Sequence, residues 1–564
     1  DADTRKRLEA ARAALGGLSE VDFKPDQLRS LIDAHQSLQG DESALIQEQL
    51  DWYNGTFHGG ETTADSRTIE MHTNYAFALV DSVSAALVPQ NPRAHCKPET
   101  PMDADSAKLT ERVLDKDIRA TRMGDVTRRA VRWTVLAGRC PTKTVWNPLL
   151  GASNLWDLDP RRLWWDFDVP FEESDYYIEV VTLKDRALKE KLAPIQGGKG
   201  RKRPYNPKGY IEGGSAADAF PAWLYPESKG PKGIRRDVER LFNYRLLFEI
   251  WMPHERRLLH YMLGADEFLL DIDIPSKLVP NPYVLLSFND ALRDHRGLSD
   301  CTLIRNLQLR LNELDQLAYE HALGTLPAIF YDQTAVGEDK ATMTANAKPM
   351  EFVPLNPPSG KSLDGCFAAT PTPTLLPDFH MERNRVEQAL QFVVGLPDWM
   401  RGQVTGAETA TEMALTEQSL KNRMTLRGAR VRGFQQQIVE RMMLLRLEFM
   451  APDERIPIGG LTAADPIPRE ATVDDIAATA SVEVVAYAPM AYNKNVRRGQ
   501  LLALAERTAG LPFIDQVKQW REVYALHEMD PSIVLDGPMN PAEAAQPQGP
   551  PALAEVPPEA IAAK

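Results

Sequence analysis

Only four cysteines, Cys96, Cys140, Cys301 and Cys366, stand in 564 residues. No two form a C-x-x-C pair, which argues against a zinc module or a disulfide framework and fits a reducing compartment. No stretch approaches the ~18–20 uninterrupted apolar residues of a membrane span. The segment Asp1 to Ala14 is charged, reads as helix and lacks the apolar centre of a secretory signal, and no other targeting segment is read. Reactive motifs are missing too. Ser359-Gly360-Lys361-Ser362 ends like a phosphate loop, but Leu355 occupies the place of the required glycine and proline turns flank it. Gly198-Lys199-Gly200 fails as a dinucleotide fingerprint at Arg203. Neither H-E-x-x-H nor G-x-S-x-G occurs. These absences exclude the commonest signatures of nucleotide, metal and serine chemistry.

What is present is length and layout. A chain of 564 residues exceeds one ordinary core, so two to four subdomains are expected. Hydrophobic residues make up 43% and charged residues 26%, as in a globular chain, and the net charge is −14. That acidity argues against a tightly gripping nucleic-acid groove, which needs clustered Lys and Arg. It fits a surface past which DNA slides, and equally fits ordinary solubility.

Residues 1–50 carry helical spacing, with Leu28, Leu31, Ile32 and His35 on one face and Leu45, Ile46, Gln49 and Leu50 continuing it. A helix is predicted over Asn74 to Leu87, with a stripe of Phe77, Val80, Val83, Ser84 and Leu87. Further helices are predicted over Ala104 to Arg122 and Val126 to Ala137. From Arg139 the period becomes two. Thr142–Trp146, Leu155–Leu158, Leu163–Phe167 and Tyr176–Val181 read as one small antiparallel sheet, followed by a short helix, Lys184–Leu192. Residues 195–236, including Gly198-Lys199-Gly200-Arg201-Lys202-Arg203-Pro204, read as a long exposed loop whose basic run suits either solvent or an acidic neighbour. Strands resume at Leu241–Trp251, Arg257–Leu263 and Phe268–Ile274.

Between Gly297 and Met450 the order is helix, β-rich insertion, helix, loop, very long helix. Ser299 caps the first helix, which runs to about Ala322 with Leu303, Leu307, Leu311 and Leu314 as its stripe, roughly 35 Å long. Ala328–Tyr331 and Met350–Val353 read as short strands and Asp378–Val394 as helix. From Glu408 to about Phe449 the helix is unbroken, on the order of 60 Å, with Gly428 and Gly433 as bend points. Lys421, Arg423, Arg427, Arg430 and Arg432 line it. A strand follows at Val482–Tyr487, helices at Asn495–Ala509 and Asp515–Glu528, and a Pro/Ala-rich tail after Asp530.

Two clusters could carry chemistry. Asp157, Asp159, Asp166 and Asp168 have metal-ligand character, but their alternation with Leu158, Trp164, Trp165 and Phe167 suits the solvated face and turns of a sheet. Trp133, Trp146, Trp156, Trp164 and Trp165 suit base stacking or, better, core and interface packing.

In this order the words resemble a known family. The chain resembles the portal proteins, or head-to-tail connectors, of tailed phages, most closely the podovirus-like ones. The carriers are Asn74 through Pro92; Arg132-Trp133-Thr134-Val135-Leu136-Ala137-Gly138-Arg139; Leu158-Asp159-Pro160-Arg161-Arg162-Leu163-Trp164-Trp165-Asp166; Gly297-Leu298-Ser299-Asp300 with Leu311-Asn312-Glu313-Leu314; and Glu408-Thr409-Ala410-Thr411-Glu412. The resemblance implies an α+β, mainly α fold assembled as a ring, usually of twelve copies, around a DNA channel. By segment, 1–296 is the wing, 297–325 a stem helix, 326–375 the clip and 376–394 the second stem helix. Residues 395–407 form the tunnel loop, 408–494 the long wing helix and return strand, 495–530 the crown and 531–564 a flexible tail. It implies a virion conduit, assembled in the host cytoplasm, for DNA packaging and ejection. The implied partners are double-stranded DNA, the terminase, tail adaptor or nozzle proteins, and capsid and scaffold proteins. It implies no cofactor, no metal, no membrane and no enzyme. Arg401 is the only cation between Gly395 and Gly406. It is expected either to meet phosphates transiently, with Gln403 and Thr405 lining the bore, or to pair with a neighbour's acid. The competing class is a DNA-packaging enzyme such as a terminase subunit, which the missing phosphate loop disfavours; a third is another long-helix scaffold.

Overall fold

The computed structural model describes residues 24–55, 73–88, 92–98, 104–192, 205–211, 244–292, 294–324, 329–331, 339, 367–369, 377–394, 410–451, 456–458, 469–471, 473–477 and 479–485. The side chains of 410–423 lie outside the described set. The chain divides into two compact units, Asp1–Glu454 with Val473–Ala486, and Arg455–Thr472 with Tyr487–Lys564. In the second, the described residues form an antiparallel strand pair, Ile456–Ile458 with Arg469–Ala471.

The first unit mixes helix and sheet. Helix α1 (Pro25–Tyr53) starts at a proline, whose missing N–H costs nothing in a first turn. Helix α2 (Tyr75–Leu87) is capped by Asn74, whose side chain accepts from the Phe77 amide at 2.8 Å. Its buried face is Tyr75, Ala76, Leu79, Val80, Val83, Ser84 and Leu87, and Phe77 is exposed. Helices α3 (Ala104–Ala120) and α4 (Met123–Ala137) follow strand β1 (Arg93–Pro98).

The single sheet expected from the period-two region is in fact two. Strands β2 (Arg139–Asn147) and β3 (Ala152–Asp157) form a hairpin. Strands β4 (Leu163–Trp165), β5 (Tyr177–Lys184), β6 (Tyr244–Met252), β7 (Arg257–Tyr261) and β8 (Leu270–Asp273) form a five-stranded antiparallel sheet in that order. Helix α5 (Asp185–Leu192) leaves β5. Strand β9 (Tyr283–Ser287) completes a three-stranded sheet, β3-β2-β9. Period two places successive residues on opposite faces, and the two faces of the five-stranded sheet have different covers. Ile178, Val180, Phe248 and Ile250 pack with Leu28, Leu31 and Ile32 of α1. Leu163, Trp165, Tyr177 and Trp251 pack with Tyr283 of β9. Adjacent Trp164 and Trp165 thus serve two different cores, both fully buried. Trp146 stacks on Phe449 at 5.9 Å.

Helix α6 (Asp300–Gly324) leads to the antiparallel pair β10 (Ile329–Tyr331) and β11 (Phe367–Ala369), then to α7 (Pro377–Val394). The strand expected at Met350–Val353 lies outside the described residues; β10 pairs instead with β11, which no sequence pattern announced. Helix α8 (Ala410–Phe449) runs unbroken through Gly428 and Gly433. A short helix α9 (Val473–Ala477) precedes β14 (Thr479–Val485), numbered after β12 (Ile456–Ile458) and β13 (Arg469–Ala471), and β14 pairs with β1.

Candidate functional site at the junction of the long helices

The segment Gly297–Met450 is anchored where α4, β9, α6 and α8 meet. Gly138 ends α4 with φ +83, and Gly297 precedes α6 with φ +85. A Cβ on Gly138 would stand 2.8 Å from the Ser299 nitrogen and 2.9 Å from the Gly297 oxygen. A Cβ on Gly297 would stand 2.6 Å from the Gly138 oxygen and closer still to Ser287 Oγ. Two left-handed glycines therefore let two backbones touch. Ser299 exploits the contact: its hydroxyl accepts from the Thr302 amide at 3.2 Å, capping α6, and donates to the carbonyls of Val135 and Leu136 at the end of α4. One side chain serves both helix ends. Replacing Gly138 by Ala adds a left-handed penalty of about 1–2 kcal/mol and an overpacking cost of about 1–3 kcal/mol. Gly138→Ala is expected to lower the urea unfolding free energy by about 2–5 kcal/mol, and a loss well under 1 kcal/mol contradicts this account of the junction.

Around this contact the charges close on one another. Asn289 Nδ2 donates to Asp300 Oδ1 at 2.9 Å, and Arg427 Nη2 donates to the same oxygen at 2.9 Å. The Arg427 guanidinium also lies 5.4 Å from the Phe288 ring centre. Arg430 grips Asp290 through both nitrogens, at 2.8 and 2.5 Å. That fork holds the Asp290 carboxyl below the usual carboxylate range. Farther along α8, Arg441 Nε donates to the Asn281 carbonyl at 3.1 Å, and Arg446 pairs with Asp117 at 2.7 and 2.6 Å, fully inside the protein. Glu448 accepts from Ser276 Oγ and the amides of Lys277 and Leu278. On the other side, Glu42 of α1 receives Arg139 and Arg296, and Glu48 receives Arg305 of α6 at 3.0 Å. Gln49 Nε2 donates to Thr302 Oγ1 at 2.6 Å. The long helix is bolted at four arginines, and α6 is tied to α1 by two contacts.

The cations expected along α8 divide accordingly. Arg427 and Arg430 turn into their own chain; Arg432 is exposed; the side chains of Lys421 and Arg423 lie outside the described residues. Of the expected stripe on α6, Leu311 and Leu314 are buried, Leu307 is half-buried and Leu303 is 45% exposed. The face that packs is Cys301, Ile304, Gln308, Leu311 and Asn312, because Ser299 and Gly297 set the helix's rotation. Helix α7 packs against α6; its Val386 and Leu390 are buried, and Arg383 Nε donates to Asp315 of α6 at 2.6 Å. Arg401, Gln403 and Thr405, expected in a tunnel loop, and Glu408 and Thr409, expected at the start of the long helix, lie outside the described residues. Thr411 and Glu412 fall in the first turn of α8, with their side chains undescribed. The rest of 395–407, the basic run 198–204, Cys366, the segment 495–530 expected as crown helices and the tail 531–564 also lie outside the described residues.

The aspartate cluster does not converge. Asp157 is held by the Arg129 fork, at 2.9 and 2.6 Å, and Asp159 by Arg161. Burial alone would raise Asp159, but Arg161 holds it below the ordinary carboxylate range. Among the described residues no group of three or more His, Cys, Asp or Glu could hold a metal ion. Burial pushes the Cys96 thiol up to about 12 and those of Cys140 and Cys301 well above their ordinary value, so none supplies a thiolate near neutrality. No described helix is long and apolar enough to cross a membrane.

Sequence reasoning missed one buried network. Lys143 Nζ on β2 lies 2.6 Å from both Glu179 of β5 and Glu249 of β6, and the Tyr283 hydroxyl donates to Glu179 at 2.8 Å. Its signal was present, since Glu179 and Glu249 each interrupt an apolar strand, Ile178-Glu179-Val180 and Phe248-Glu249-Ile250. No protein-family model matches the chain, and no curated protein matches it.

Proposed function

We propose that the chain is the subunit of a portal ring, a head-to-tail connector through which a double-stranded genome passes. The observation that carries the reading is the run α6, β10–β11, α7, α8: two packed helices of 25 and 18 residues joined through a strand pair, then a 40-residue helix. It is supported by where the cations go. Arg427, Arg430 and Arg446 are occupied by Asp300, Asp290 and Asp117, so they brace the helix and do not form a phosphate-gripping stripe. With a net charge of −14, a wall built this way repels DNA on average and lets it slide. In this reading α6 and α7 are the stem helices, β10–β11 belongs to the clip, and Arg401 in the loop before α8 is the transient phosphate contact. Terminase, tail adaptors and capsid proteins dock on the outer surfaces. Native mass spectrometry tests the reading: a ring of twelve chains of 63.1 kDa has a mass of about 760 kDa, whereas a monomer with ATPase activity sinks it.

A further inference from the structure

A row of titratable side chains crosses the buried face of the five-stranded sheet. The register of β5 and β6 sets Glu179 directly opposite Glu249, and that of β6 and β7 sets Glu249 opposite His260. Like charges directly opposite each other on adjacent strands are destabilising. Water does little to separate them here, because the three side chains are at most 15% exposed. The three-stranded sheet covers the row. It contributes Lys143 Nζ, 2.6 Å from both carboxylates, and the Tyr283 hydroxyl, which donates to Glu179 at 2.8 Å.

One ammonium thus faces two carboxylates, and the cluster is one positive charge short. Among the described residues no second lysine or arginine bonds either carboxylate. Arg441 of α8 turns instead to the Asn281 carbonyl, with Tyr177 and Glu172 as its charged neighbours. Burial beside the two carboxylates raises the Tyr283 hydroxyl well above its usual range, so it is neutral. His260 is neutral too, lowered to about 4 by burial. Lys191 of α5 donates to the Tyr205 hydroxyl at 3.2 Å, and that hydroxyl lies 2.9 Å from His260 Nδ1. A lysine has nothing but donors. Tyr205 therefore accepts from it and donates to Nδ1, which leaves the ring proton on Nε2, 3.8 Å from Glu249 Oε2.

An uncompensated charge inside a protein is removed by protonation. Glu249 is the better served of the two acids. Lys143 and the Trp251 indole both donate to its Oε1 at 2.6 Å, and the His260 Nε2–H faces its Oε2. Glu179 has Lys143 and a neutral hydroxyl. Burial, with Glu249 adding to it against Lys143, raises the Glu179 carboxyl. We propose that the cluster is a proton-held latch between the two sheets: Glu179 keeps its proton at neutral pH, and losing it sets two bare carboxylates against each other under a single lysine. The latch lies within one chain and stands whether or not copies form a ring.

The folded chain then binds one proton more than the unfolded chain, whose free glutamate ionises near pH 4.3. The stability that this proton gives is complete below that pH and is lost as pH rises through the native value. The test is urea unfolding of the full chain, wild type and Glu179→Gln, between pH 5.5 and pH 7. Glutamine keeps the shape of the protonated acid and has no proton to lose, and the buried histidines are common to both proteins. The wild-type unfolding constant divided by that of Glu179→Gln is expected to rise about tenfold per pH unit. Glu249→Gln, in which Glu179 ionises against Lys143, is a second reference and should give the same slope. A ratio that stays flat against both variants means that both carboxylates are ionised, and overturns the latch. At each pH the unfolding constant of Glu249→Gln is expected to exceed that of Glu179→Gln by about tenfold or more, because it removes the carboxylate that Lys143 and Trp251 share. An equal or smaller constant overturns the seating of the proton on Glu179.

Discussion

Acidification from pH 7 to pH 5 is expected to cost the fold about 4 kcal/mol from two buried histidines. His35 stacks on Trp164 at 5.5 Å, meets Phe167 and Tyr176 edge-on, and shares a 3.0 Å hydrogen bond with the Tyr176 hydroxyl. Burial, aided by the Arg296 charge, lowers its pKa to about 3. His260, bonded through Nδ1 to the Tyr205 hydroxyl at 2.9 Å, is lowered to about 4, chiefly by burial, with Lys191 and Lys143 adding to the effect against Glu249. Both rings are neutral in the native state, while the unfolded chain protonates them below about 6.5. The unfolded state therefore binds more protons, so the stability is complete above that pH and is lost as pH falls towards 4 and 3. Each ring contributes about 2 kcal/mol of the loss by pH 5. Glu179, raised by burial, acts with the opposite sign, so the clean observable is a difference. Urea unfolding of His35→Gln and of the wild type should converge by about 2 kcal/mol between pH 7 and pH 5. Parallel curves would show that His35 is not held neutral.

The second large effect is expected at the Asp117–Arg446 pair. Both side chains are almost wholly buried, and the guanidinium also lies 5.8 Å from the Trp146 ring centre. Asp117→Ala strands a charge that neither water nor another acid reaches, which costs about 3–5 kcal/mol. Removing both charges is far milder, because desolvation offsets most of what the pair gains. Asp117→Leu with Arg446→Met should therefore recover most of the loss in the same urea measurement. A double variant as unstable as the single one would mean that α8 is positioned by the charge itself and not by packing around it.

The pair also shows what one sequence can and cannot disclose. Helices α1, α2, α4 and α6 were legible because each carries its own period, α8 because no proline interrupts its span, and the cap at Ser299 because capping is local. The destinations of the basic residues on α8 were not legible. Arg446 finds Asp117 across 329 residues, Arg430 finds Asp290 across 140 and Arg427 finds Asp300 across 127. Nothing near Arg446 distinguishes a buried brace from a phosphate contact. The leucine stripe of α6 was misplaced for a related reason. A heptad-like reading favours Leu303 and Leu307, but the helix is rotated by the glycine contact at its start, which brings Cys301, Ile304 and Gln308 inward. Strand β9 was missed because Tyr283–Ser287 is mostly buried and shows no polar alternation. The alternation of Thr142–Trp146 did not disclose that the second sheet covers the face of Lys143 and supplies two carboxylates to receive it.

The described helices between Gly297 and Met450 form a braced frame: α6 starts at a two-glycine contact, α7 packs on it, and the long helix α8 is bolted to its own chain by arginines. Such a frame is useful when copied around an axis. Electron microscopy of the purified full-length chain tests that claim most directly. Class averages viewed down the axis should show a closed ring with a single rotational symmetry, near twelvefold, and an open central channel wide enough for a DNA duplex. Single copies, twofold dimers or open filaments at concentrations that permit assembly would contradict it.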